Sequence, residues 1–115
     1  MSRDHLRRLL ALSTMVRDLR LAELSQAEAA RAASVASLAR LNAPSSQTDL
    51  DPVVADRVQV TYERWADVRR KELKATIARQ TETCLAAKSQ ARTAFGRQQA
   101  LISVADRMAV PKKRL

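Results

Sequence analysis

The sequence predicts an all-α fold, an antiparallel two-helix coiled-coil hairpin whose second helix is longer than its first. Three observations carry this. The 115 residues contain one Gly, three Pro and three aromatic side chains, Tyr62, Trp65 and Phe95. A β-rich domain needs frequent turn residues and many β-branched or aromatic side chains, whereas Ala, Leu, Arg, Gln, Glu and Lys favour helix. Only one internal stretch, Ala43-Pro44-Ser45-Ser46-Gln47-Thr48-Asp49-Leu50-Asp51, breaks the helical pattern. An apolar stripe at alternating steps of four and three then runs along most of the second half.

Helix 1 is expected over about 3–42. Ser2 or Arg3-Asp4 opens it, and Asn42 is a plausible stop because it tolerates the left-handed conformation; Pro44 disfavours helix at Ala43. Helix 2 is expected over about 52–109, because Asp51 can cap and Pro52 suits the first helical position. The loop is 43–51, and Pro111 with Lys112-Lys113-Arg114 ends helix 2 in a basic tail, 110–115. The whole chain reads as one hairpin, a rod with one apolar seam.

In helix 2 the stripe is Leu73, Ile77, Gln80, Cys84, Ala87, Ala91, Ala94, Gln98, Leu101, Ala105 and Met108. Upstream, Val54, Val58, Trp65 and Val68 form a shorter stripe, and joining the two predicts a phase shift near 69–72. Trp65 reads as a core anchor near the loop. Helix 1 offers Leu9, Leu12, Val16 and Leu19, then Leu24, Ala27, Val35, Leu38 and Leu41 on a drifted face. The Ala-rich stretch 27–39 buries little surface per turn, so stability in isolation should be marginal. If Leu41 sits opposite Val53, residue i faces about 94 − i. Helix 2 beyond about residue 91 would then lack a mate, leaving an apolar overhang with Phe95, Leu101, Ile102, Val104 and Met108 at the end that holds both termini.

The net charge is +9, with +8 of it on residues 53–115. Such a charge suits an acidic protein surface, nucleic acid or anionic lipid. Arg57, Arg64 and Lys71 recur every seven residues, with Arg70 and Lys74 near the end of the row. Local pairs of Asp67 with Lys71 and Arg70, and of Asp4 with Arg8, fit helical spacing. Gly96 interrupts a helix at a cost of about 1 kcal/mol, as a tolerated interior glycine, as a mild kink, or as a place where a partner's backbone approaches beside Phe95 and Arg97.

Catalytic constellations are missing from the sequence. One Cys and one His, Cys84 and His5, make no metal motif, and one glycine makes no phosphate loop. The chain therefore reads as a non-enzyme without cofactor. No apolar run reaches the roughly 18 residues of a membrane span, and the lone Cys84 fits a reducing, cytosolic compartment. Two further classes stand beside a protein-binding rod. A basic hairpin could contact nucleic-acid phosphates without reading sequence, or the chain could be a self-associating structural coiled coil.

The segments Arg64-Trp65-Ala66-Asp67-Val68-Arg69-Arg70-Lys71-Glu72-Leu73, Ile77-Ala78-Arg79-Gln80 and Ala94-Phe95-Gly96-Arg97-Gln98-Gln99-Ala100-Leu101 resemble the FliJ/YscO family, as does the opening Arg7-Arg8-Leu9-Leu10-Ala11-Leu12. The resemblance implies a coiled-coil stalk serving the export ATPase of flagellar and type III secretion systems, at the cytoplasmic side of the inner membrane. It implies that the end with both termini enters the hexameric ATPase ring and promotes its assembly or activity. The residues carried over are Phe95, Gly96, Arg97 and Leu101, with Ile102 and Met108 on the same overhang. It also implies contacts to the membrane export gate, for which Arg64, Trp65, Arg69 and Arg70, with Arg57 and Lys71 of the basic row, are candidates, and escort of export chaperones.

Overall fold

The computed structural model describes residues 2–44 and 51–109. It is an all-α two-helix hairpin of α1, Arg3–Leu41, and the longer α2, Pro52–Ala109. The expected basic tail and the loop's central residues 45–50 lie outside the described residues.

Capping explains the helix ends. The Ser2 hydroxyl accepts from the His5 amide at 3.1 Å, and the Ser2 carbonyl accepts from the Leu6 amide at 3.0 Å. Asp51 does the same for α2, its carboxylate accepting from the Val53 amide at 2.9 Å. These bonds satisfy amide donors that lack an intrahelical acceptor. α1 stops without the left-handed residue expected at Asn42: no described non-glycine residue has positive φ. Instead the Asn42 and Ala43 amides donate back to the Leu38 and Arg40 carbonyls, and Asn42 Oδ1 accepts from Arg70 across the hairpin at 2.9 Å.

Packing divides the chain into two compact units, Met1–Ala27 with Thr83–Leu115, and Glu28–Glu82. In the second unit Ala66 and Leu73 are buried, with Arg70, Ile77 and Gln80 half-buried. In the first, Ala87, Ala91, Ala94 and Gln98 are buried, with Cys84, Leu101 and Ala105 half-buried. All follow the steps of four and three that knobs-into-holes packing requires. Only Met108 leaves the expected seam, being exposed.

Three expectations are corrected here. First, no phase shift occurs near residues 69–72, because the stripe continues in the same phase through Arg70 to Ala66. The separate stripe Val54, Val58, Trp65 and Val68 is exposed, and Trp65, at 56% exposure, anchors no core. Second, α1 departs from its expected face in part: Leu24, Ala27, Leu38 and Leu41 are half-buried as expected, and Leu9 and Val16 are half-buried as well, but three of the expected residues are not. Leu12, Leu19 and Val35 are exposed, and the inward positions are Leu6, Leu10, Ser13, Arg17, Arg20, Leu24 and Ala27 in the first unit, and Ser34, Leu38 and Leu41 in the second. Arginine can fill such positions because its aliphatic stem packs while its guanidinium reaches a polar partner.

Third, the register differs. In the second unit Arg70 reaches Asn42 and Leu41, Arg31 donates to Thr81 at 2.9 Å, and Gln80 donates to the Ala30 carbonyl at 3.3 Å. In the first unit Gln98 donates to Thr14 at 3.0 Å and Arg20 donates to Gln90 at 3.0 Å. Residue i therefore faces about 112 − i in each unit. The predicted overhang at 92–110 does not exist: Arg3, Leu6, Arg7 and Leu10 share a depression with Ala105, Met108 and Ala109. The stretch of α2 without α1 opposite it is the other end, residues 52–69, because α1 stops facing Arg70.

The seam is held partly by polar bonds. Arg17 Nη1 donates to Gln98 Oε1 at 2.9 Å, Gln98 Nε2 donates to Thr14 Oγ1, and Thr14 donates to the Leu10 carbonyl at 3.0 Å. Gln98, only 5% exposed, thus has both ends of its amide engaged. A satisfied buried amide in an alanine-lined seam fixes register, since any slip leaves it unpaired.

Candidate functional site

The six residues expected to meet an ATPase ring all belong to the first unit, where α1 pairs with them, so they form a side of a hairpin instead of a bare helix. They divide by heptad position. Leu101 is half-buried in the seam. Phe95, 51% exposed, and Ile102 lie seven residues apart and share one exposed face. Arg97 is exposed, has no ion-pair partner among the described residues, and helps line a shallow depression of about 190 Å³ with Val16, Arg20 and Thr93. Met108 lines the depression near Leu6.

Gly96 lies on the outside of α2. A Cβ built there would meet nothing within 4 Å, and its φ is not positive. The hairpin itself therefore has no need of a glycine here. No close approach of α1 accounts for it.

The second candidate set belongs to the other unit, on the start of α2. Arg57, Arg64 and Lys71 are exposed and make no ion pair among the described residues. Arg69 pairs with Glu72 at 3.2 Å. Arg70 is different: it bonds Asn42, the Leu41 carbonyl at 3.4 Å and Asp67 at 2.7 Å, with Glu63 at 3.7 Å. Its guanidinium also sits where the α1 dipole is negative, so it serves the hairpin first. Asp67 thus pairs with Arg70 and not Lys71, and Asp4 makes no ion pair with Arg8.

Trp65 and Tyr62 stack obliquely, ring centroids 5.8 Å apart and planes at 42°. Arg57, Val58, Thr61 and Tyr62 line a depression of about 380 Å³. Sequence periodicity groups these side chains on one face; what it misses is that the face looks into solvent. The signal for that is the register, and Arg70 and Gln98 encode it.

Among the described residues no group of three or more His, Cys, Asp or Glu side chains could hold a metal ion, and no helix is long and apolar enough to cross a membrane. Cys84 is a half-buried seam residue. His5 lies in the capped first turn of α1. The chemistry on offer is apolar surface flanked by positive charge. No family model, curated protein or solved structure matches the chain.

Proposed function

We propose that the chain is a non-enzymatic coiled-coil adaptor that binds a flagellar or type III secretion export ATPase, promotes its assembly or activity, and helps couple it to the export gate. The observation that carries this reading is Gly96. A helix-interior glycine costs about 1 kcal/mol relative to alanine, and nothing inside the hairpin explains it. Beside it stand exposed Phe95 and unpaired Arg97, an aromatic anchor and a cation of the kind that dominate protein interfaces. A missing Cβ there lets a partner's backbone approach α2 closely. The resemblance of the Ala-Phe-Gly-Arg run to the FliJ/YscO family supplies the identity of the partner.

In this reading a paired, stiff end of the hairpin, and not a free helix, meets the ring. Mixing the protein with its cognate ATPase should raise both hexamer content, read by sedimentation, and hydrolysis rate. A Phe95→Ala, Ile102→Ala variant should lose the effect while staying helical, because both side chains are exposed. Unchanged assembly and hydrolysis with folded protein would overturn the reading.

A further inference from the structure

The start of α2 has its own second seam. Val54, Val58, Thr61, Trp65 and Val68 follow steps of four, three, four and three, and all are exposed. That spacing differs in phase from the stripe that packs on α1, so these residues occupy another face of the helix. At 100° per residue their face is centred about 120° away from Ala66. Five positions at this spacing span about 21 Å and present knobs in the arrangement that fits one further helix. The connecting residues 45–50, Ser-Ser-Gln-Thr-Asp-Leu, contain one large apolar side chain and cannot supply such a stripe.

Charge selects the occupant. Arg57, Arg64 and Lys71 run along one border of the stripe, and none has an ion-pair partner among the described residues. The acids of the same stretch, Asp56, Glu63 and Asp67, fall on the opposite side of the helix, where Arg70 engages two of them. A second copy docked antiparallel on this stripe would bring the two basic rows against each other, since like borders meet in an antiparallel pair. A helix with acidic residues along its border meets the same row favourably.

We infer that the exposed face Val54–Val58–Thr61–Trp65–Val68 is a docking seam for an acidic amphipathic helix of another protein, with Trp65 as its central anchor and Arg57, Arg64 and Lys71 as its electrostatic border. This site is on the other unit from Phe95 and Gly96; it shares Arg57, Arg64, Trp65 and Lys71 with the candidate export-gate contacts and so deepens that part of the proposed function, while needing nothing from the ATPase contact. Apolar contact supplies the affinity, while the basic row sets partner choice and association rate.

Trp65 is the only tryptophan, so its fluorescence reports the centre of the seam directly. The probe is a 21-residue synthetic helix without Trp, with Leu at the a and d positions and Glu at the flanking positions; its control has Lys in place of Glu. The full chain should bind the Glu peptide with a blue shift of Trp65 emission. Binding should be about ten-fold tighter than to the Lys peptide at low salt, and the difference should shrink as salt rises. Arg57→Glu with Arg64→Glu should reverse the preference, which a merely structural role for these arginines would not do. Val58→Asp should abolish binding while helicity and the Gly96-face assembly of an ATPase persist. Equal affinity for both peptides, a concentration-dependent blue shift of the protein alone, or a larger shift with anionic vesicles than with the Glu peptide would each overturn the proposal, the last two in favour of a second copy or a lipid surface.

Discussion

Residues 87–98 and residues 53–68 of α2 make opposite use of their apolar side chains. The first stretch buries three alanines and a glutamine; the second leaves five valines, Tyr62 and Trp65 exposed. Hydrophobicity alone would assign the core the other way round. The deciding factor is an opposing backbone. Where α1 is present, small residues let the helices approach closely and are buried. Beyond the end of α1 Ala66 is still buried, but the larger residues of that stretch are exposed. Burial therefore reports register before it reports composition.

The largest test of this contrast is Leu73→Ala, which removes the one large side chain fully covered in the second unit. It should destabilise the hairpin by about 2–5 kcal/mol in denaturant or thermal unfolding followed by circular dichroism. A loss under about 1 kcal/mol would mean that this seam carries little of the stability. Gln98→Ala should cost about 1–2 kcal/mol, through its two hydrogen bonds and the space vacated, and should also raise amide exchange around Thr14 and Arg17. Unaltered exchange there would detach Gln98 from the register. Gly96→Ala should act in the other direction, adding about 1 kcal/mol while weakening ATPase assembly under the proposed function. The smallest effect belongs to the largest side chain: Trp65→Ala should shift stability by no more than about 0.5 kcal/mol. A loss of 2 kcal/mol would erase the contrast between the two stretches.

Much of this architecture is legible in the sequence. Asp51-Pro52 marks a helix start by capping chemistry alone, and the stripe from Leu73 to Ala105 follows from spacing alone. The α1 seam is legible from apolar residues at Leu24, Ala27, Leu38 and Leu41 but not in the first half, because Ser13, Arg17 and Arg20 occupy inward positions while Leu12 and Leu19 are exposed. An apolar search loses the face there because arginine stems do part of the packing. The register escapes for a related reason. Pairing Leu41 with Val53 assumes a tight turn, whereas the alignment is set by long-range partners, Arg70 at the end of α1 and Gln98 near Thr14. As a result, the exposed end of α2 belongs to the other terminus of that helix, and the candidate residues around Phe95 gain a neighbouring helix. The chemistry at Arg57, Arg64 and Trp65 is visible as a pattern but acquires direction only from where α1 stops.

Arg70 binds the last carbonyl of one helix and the acidic border of the other through a single guanidinium. Alignment is thereby written in side chains. Doubling the ten-residue connection between Leu41 and Pro52 would cost only about 0.6 kcal/mol in closure entropy, and the two strands of the hairpin would still clasp at the same rung. Evolution is consequently free to lengthen, shorten or decorate that bridge, while losing Arg70 and Gln98 together would let the arms slide.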